Sequence, residues 1–179
     1  GTLVEKCCHY FDLINLMAET RIDSVYAVSG QAVNFIDFTY EGKVSDIHDH
    51  AFVVMQFTGG ISASFTLNMF SRELYEELSV TGENGRLLAS EHSSFTPGSR
   101  SRAEIMVEVV GHPAYQGKEV TYPAPIEASG HHGATFFEHE AFVDQFENKP
   151  HDSANCEQGV WAILVASAAQ QSVATGQVI

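Results

Sequence analysis

Residues 52–67 read FVVMQFTGGISASFTL. Two apolar runs rich in β-branched and aromatic residues flank Thr58-Gly59-Gly60. In the second run Ile61, Ala63, Phe65 and Leu67 alternate with Ser62, Ser64 and Thr66. A period of two predicts a strand with one apolar and one polar face. The Gly-Gly between the runs predicts a hairpin. Outward from this unit the strand pattern repeats. Ser24 to Val28 is short and β-prone, and Glu77 to Gly82 leads through Glu83-Asn84-Gly85-Arg86 into Leu87-Leu88. Asn-Gly is a strong two-residue turn signal. Ala103–Val110 and Glu119–Tyr122 are further strand candidates. Glu91 to Arg102, rich in Ser, Pro and Gly, predicts a loop.

The ends of the chain read differently. From Leu3 to Glu19, apolar Val4, Cys7, Cys8, Phe11, Ile14 and Met17 recur at helical spacing. Thr2 is the expected cap, with Glu5 completing a capping box. A second helix is expected over Ala134–Glu147, stopped by Asn148-Lys149-Pro150. A third is expected over Asn155–Thr175, ended by Gly176. Helices at the ends and antiparallel strands in the middle predict an α+β fold, one sheet with helices on one face. The Ser/Thr face is then wet, or paired with another subunit.

Composition narrows the function. The chain has 179 residues, expected to form a single domain over 1–179. Its 9 basic and 23 acidic residues give a net charge of −14. Such a surface argues against non-specific grip on nucleic acid or anionic membrane. Cys7 and Cys8 are adjacent and Cys156 is distant, which fits neither a disulfide framework nor a cysteine zinc site. A reducing, cytoplasmic setting is expected. No apolar run of about 18 residues suggests a transmembrane helix. The start at Gly1-Thr2, without Met or a basic leader, suggests a processed or excised piece with no signal peptide. There is no GxGxxG after a strand, no GxxxxGK[ST] and no GxSxG.

Three constellations carry possible chemistry. Glu5, His9 and Asp12 are spaced i, i+4, i+7, so a continuous helix would project them from one face. A carboxylate beside an imidazole can orient it for proton transfer near neutral pH. The same row also suits a solvated helix face or, less readily, a metal site. His48-Asp49-His50 precedes a strand, with both histidines expected on one side. That arrangement suits a metal ligand pair or a plain polar strand entry. Gly130-His131-His132-Gly133 precedes a helix, where glycines and a helix N-terminus can hold a polar ligand.

The opening GTLVEKCCHYFDL resembles the pattern GGxLxDxGxHxxD that begins the C-terminal domain of the Gfo/Idh/MocA oxidoreductases. These include glucose–fructose oxidoreductase and inositol dehydrogenase. Asp49 to Leu67 is similar to the family's strand–Asn/Gly–strand unit, and ELSVTGENGRLL (77–88) to its G-x-x-G-x-L hairpin. Gly130–Phe142 resembles the stretch before its penultimate helix. Asn155–Ile179, ending SVATGQVI, resembles its last helix and final short strand.

The resemblance implies a large open, mostly antiparallel sheet used for substrate binding and for homodimer or homotetramer contact. It also implies an N-terminal Rossmann domain outside this chain that binds NAD or NADP. The implied substrate is a sugar, inositol or related polyol. His9 falls on the family histidine that acts as, or beside, the general acid/base. Glu5 stands where the family usually has a substrate-contacting Asp, Cys7 replaces a Gly, and Asp12 matches a more structural Asp. His131 and His132 lie where the family's chain often approaches substrate. The alternatives are a non-enzymatic sugar-binding or dimerisation module, and a metal hydrolase using His9 with His48 and His50.

Overall fold

The computed structural model describes residues 1–97, 101–113 and 117–179, and of His132 the backbone only. The described chain divides into two compact units, residues 1–71 with 154–179, and residues 72–153.

The first unit is built on the hairpin that the alternating sequence predicts. β1 (Ile22–Gly30), β4 (His50–Phe57) and β5 (Ser62–Asn68) form an antiparallel sheet in the order β1-β4-β5. Between them lies a small ribbon, β2 (Thr39–Tyr40) with β3 (Lys43–Val44). Val25 and Ala27 of β1, and Ala51, Val53, Met55 and Phe57 of β4, point into the core, and Ala63, Phe65 and Leu67 of β5 pack beside them. Helices α1 (Thr2–Glu5), α2 (Cys8–Ala18) and α5 (Cys156–Thr175) complete that core through Leu3, Cys7, Phe11, Val165, Ala166 and Ala169. Helices thus cover one face of the sheet, as the segregated sequence predicts.

The opposite face is more apolar than β5 alone suggests. The rows Tyr26–Val54–Ser64 and Val28–Phe52–Thr66 run across it. Tyr26, Val28, Phe52 and Val54 on this face are 40–56% exposed.

α5 begins where its sequence says it should. The Asn155 side chain accepts from the Gln158 N–H (3.0 Å), and the Gln158 side chain accepts from the Asn155 N–H (2.8 Å). This is a complete capping box. Its far end is tied to the sheet. The buried Ser172 hydroxyl donates to the Gln177 carbonyl (2.6 Å) and accepts from the Ala27 N–H (2.9 Å). Val25 and Ile179 then exchange two backbone hydrogen bonds, at 2.8 and 3.0 Å. The edge of β1 is closed by the last residues of the chain, where the resemblance implied a final short strand.

Three elements depart from expectation. The first helix is broken at Lys6–Cys7 into α1 and α2. Leu3, Cys7 and Phe11, four residues apart, are all buried. A straight helix drifts roughly 40° every four residues, and the break resets that drift. Thr2 does not cap: Gly1 holds that position, and the Thr2 hydroxyl donates to the His48 carbonyl (2.8 Å). The segment expected as a loop from Glu91 begins instead as strand, since β7 runs Gly85–Ser94. Partners on both sides, β6 (Glu73–Gly82) and β8 (Arg102–Val109), override the weak strand propensity of its serines. Residues 98–100 of that segment lie outside the described residues.

The second unit is the antiparallel sheet β6-β7-β8-β9, with β9 at Lys118–Val120, together with α3 (Ala124–Glu127), a 3-10 turn (His131–Gly133) and α4 (Ala134–Phe146). The β6–β7 turn is Glu83-Asn84, one residue earlier than Asn-Gly predicts, because Gly82 pairs with Gly85. Gly85 has φ 153°, and a Cβ there would lie 2.0 Å from the Glu108 carbonyl oxygen of β8. At Gly82 a Cβ would meet nothing within 4 Å. Gly85→Ala is therefore expected to lower the unfolding free energy by about 1–3 kcal/mol. Gly82→Ala should change it by under about 0.5 kcal/mol. Denaturant titration of both variants checks this, and equal effects would reject the close-approach reading.

Candidate functional site

The break at Lys6–Cys7 reorganises the acid/base row. Cys7 has φ −105° and ψ −1°, and its carbonyl accepts from the N–H groups of Tyr10 (3.0 Å) and Phe11 (3.2 Å). The turn needs no positive φ, so cysteine serves where the resemblance has glycine. Burial pushes the Cys7 thiol up to about 11, with the neighbouring Cys8 adding to the rise and Lys6 opposing it. It is a packing residue, not a thiolate. Glu5 ends α1 with its side chain 83% exposed, whereas His9 and Asp12 sit on α2. The three do not share one straight helix face. His9 is exposed, its ring centroid 4.1 Å from that of Tyr10, and Tyr10 stacks on Phe65 at 5.4 Å. Asp12 is half-buried and faces a separate cleft.

The His48-Asp49-His50 segment is an internal anchor. Asp49 is fully buried, and its carboxylate accepts from the backbone N–H groups of Ala32 (3.0 Å), Val33 (2.7 Å) and Asn34 (2.7 Å). His50 Nδ1 lies 3.0 Å from the same carboxylate. Burial by itself would raise the Asp49 carboxyl. The His50 bond and then the three backbone donors outweigh it and hold the group well below the usual carboxylate range. His48 Nδ1 meets the Ser29 hydroxyl at 2.8 Å, and that hydroxyl donates to the His50 carbonyl (2.7 Å). The His50 ring lies over Gly30, where a Cβ would approach it to 3.1 Å. No group of three or more His, Cys, Asp or Glu side chains is placed to hold a metal among the described residues. Sequence reasoning saw this stretch as a strand entry and missed its role, because the donors are backbone groups fifteen or more residues away.

The second unit carries a cleft of about 610 Å³. Glu91 and Ser93 of β7, Leu74 of β6, Ser101, three residues of the α3 segment including Glu127, and His131 line it. His131 is exposed, at φ 47°, between Gly130 (φ 104°) and Gly133 (φ 92°). A Cβ at Gly133 would meet Ile126 Cγ2 at 2.8 Å. This glycine therefore lets the turn close on α3 and sets His131 on the cleft. The His132 backbone is on the same turn, and its side chain lies outside the described residues. The lining carries two carboxylates, an imidazole, and the Ser93 and Ser101 hydroxyls, which bond each other at 2.5 Å, groups of the kind that suit a hydroxylated ligand. Glu91, Ser93 and Glu127 were not legible as site residues, because only the pairing of β7 with its neighbours brings them together.

The sequence model of one protein family, described as "Oxidoreductase family, C-terminal alpha/beta domain", matches residues 1–179. No curated protein sequence matches the chain. Among solved structures, a levoglucosan dehydrogenase in complex with NADH and levoglucosan is similar over 100% of this chain and 50% of its own, at 18% identity and a TM-score of 0.72. Aldose-aldose oxidoreductase from Caulobacter crescentus, complexed with glycerol, is similar over 100% and 47%, at 12% identity and a TM-score of 0.65. UDP-N-acetylglucosamine 3-dehydrogenase from Acidithiobacillus ferrooxidans is similar over 98% and 48%, at 18% identity and a TM-score of 0.64. These likenesses are of fold. The chain spans about half the length of each of these proteins. No helix among the described residues is long and apolar enough to cross a membrane.

The Asp49 anchor makes a pH prediction. A carboxyl lowered by folding contributes stability above its unfolded value of about 3.9, and loses it as pH falls toward the folded value. Wild-type stability should therefore fall through the range below about pH 4, and Asp49→Asn should remove part of that slope while lowering stability at pH 7. Urea midpoints measured from neutral to acid pH test it. Parallel slopes in the two proteins would reject the anchor.

Proposed function

The chain belongs to the oxidoreductase family's C-terminal alpha/beta domain, and from that premise we propose that it is the substrate-binding and proton-transfer half of an NAD(P)-dependent dehydrogenase. Its substrate is a sugar, inositol or related polyol. The observation that carries this reading is the cleft of the second unit within a chain matched along its whole length. Glu91, Ser93, Glu127 and His131 line it, and no Lys or Arg is among the lining residues. Such a lining accepts hydrogen bonds from hydroxyls and repels phosphates and carboxylates. The −14 net charge acts in the same direction. The reading therefore favours an uncharged polyol.

The residues present do not fit a dinucleotide. Every strand ladder among the described residues is antiparallel, whereas a dinucleotide cradle is a parallel βαβ unit with a Gly-rich turn at a helix start. NAD or NADP belongs, in this reading, to a Rossmann domain outside the chain.

This chain's own work is to hold hydroxyls and move a proton. Oxidising a secondary alcohol requires the hydroxyl proton to leave as hydride departs from carbon. His9, exposed on α2 beside Tyr10, is assigned as the group that takes that proton and returns it in the reverse direction. Glu5, His131 and His132 are assigned to substrate hydroxyls. The outward face of the first sheet, with Tyr26, Val28, Phe52 and Val54 exposed, is assigned as the homodimer or homotetramer contact.

In the full-length protein, His9→Ala is expected to lower kcat/KM for a polyol substrate by about 10² to 10⁴, with the fold unchanged. Steady-state kinetics with NAD or NADP measure it. A loss below roughly threefold would return His9 to the solvated helix surface.

A further inference from the structure

Between β1 and β4 the chain leaves the first sheet as an arm, residues 31–48, that carries the β2–β3 ribbon. Its base is fixed. The Asp49 carboxylate holds the backbone of residues 32–34, and the Gln31 side chain donates to the Ile47 carbonyl (3.1 Å). Its outer part is bare. No residue from 31 to 48 is buried, and Val33, Ile36, Phe38, Tyr40, Val44 and Ile47 are 38–70% exposed. Among the described residues the two ribbon strands pair only with each other. A lone two-stranded ribbon is marginal in water and gains stability by packing on another surface.

Charge and area indicate what that surface is. Alternation puts Phe38 and Tyr40 on one side of the ribbon, with Lys43 directly opposite Tyr40 and Ser45 bonded to Phe38. These four positions hold a cation and no carboxylate, on a chain of net charge −14. The outward face of the first sheet is free of charged residues. Its four rows, from Ser24–Gln56–Ser62 to Gly30–His50–Asn68, contain no Asp, Glu, Lys or Arg. Two copies of so acidic a chain repel, so they meet closely only where carboxylates are missing. The arm leaves from the last of those rows. Its six apolar side chains and the four on the outward face, each about half exposed, present on the order of 800 Å². Each partner of a stable dimer commits about that area.

We propose that the arm of one copy lies on the outward sheet face of a second copy, and reciprocally, in a two-fold contact. The inference rests on the assignment of that face to self-association and adds the element that reaches across. Phe38 and Tyr40 are the aromatic anchors, and Lys43 meets the negative field of the second copy.

Sedimentation velocity of the 179-residue chain reads the association, under reducing conditions because Cys156 is exposed. A dimer or tetramer is expected at about micromolar chain. Phe38→Ser combined with Tyr40→Ser should weaken association at least about tenfold. Lys43→Glu should weaken it at least about threefold, and it decides the matter if the double variant fails to fold. Phe146→Ser removes an exposed aromatic of the second unit and should leave association unchanged. A wild-type chain that stays monomeric at about 100 µM overturns the proposal. So does undiminished association in both arm variants, or equal weakening by Phe146→Ser. Phe52→Glu reads the sheet face itself. If it dissociates the copies and the arm variants do not, the arm inference fails and the face assignment stands. If the arm variants dissociate them and Phe52→Glu does not, the arm meets its partner elsewhere, and both fail.

Discussion

Asp49 is the only fully buried charged side chain among the described residues, and the first unit is arranged to satisfy it. A buried carboxylate is tolerated only when its oxygens are hydrogen-bonded. Here three successive backbone N–H groups, at residues 32–34, converge on it, and His50 supplies a fourth donor. The rest of the strand entry follows from that commitment. The Asp49 backbone bonds to Gly30 and Met69 (2.9 and 2.8 Å). The Asn34 side chain reaches the Met69 carbonyl (2.8 Å). Thr2 ties the start of α1 to the His48 carbonyl. The end of β1, the start of β4, the end of β5 and the first helix thus meet at one polar junction.

The middle of β1 is held by packing instead. Ala162, Val165, Ala166, Ala169 and Ser172 form the buried stripe of α5, and three of the five are alanine. Small side chains let the helix approach the sheet closely, so the Ser172 hydroxyl can reach the Ala27 N–H across 145 positions of sequence. A larger residue at position 166 or 169 would hold the helix off, and Ala27 would lose its acceptor. The two fixed points differ in kind. One is a charge satisfied by backbone dipoles, and the other is a hydroxyl brought within range by van der Waals contact.

What the sequence discloses follows from how local each feature is. The β4–β5 hairpin and the Asn155 cap of α5 are set by residues within a few positions of each other, so alternation and capping chemistry reveal them. The break at Lys6–Cys7 is not local. No Pro or Gly marks it, and it exists because Leu3, Cys7 and Phe11 must all reach a core that includes β4 and α5. The continuous helix drawn from periodicity aligned Glu5 with His9 and Asp12. The break parts Glu5 from them, and Asp12 turns to a different cleft. His9 is exposed near the start of α2.

The carboxylates show why residue type alone does not mark a site. Asp49 accepts from three backbone N–H groups and His50, which hold its carboxyl well below the usual carboxylate range. A reading by perturbed ionisation would choose it first. Its oxygens are already occupied by residues 32–34 and His50, so it has nothing to offer a substrate and serves as structure. Glu127 is less conspicuous, but it lines open space beside His131. A carboxylate is useful to a ligand in proportion to the acceptor capacity that the fold leaves unspent. By that criterion Asp49 has spent its capacity inside the fold.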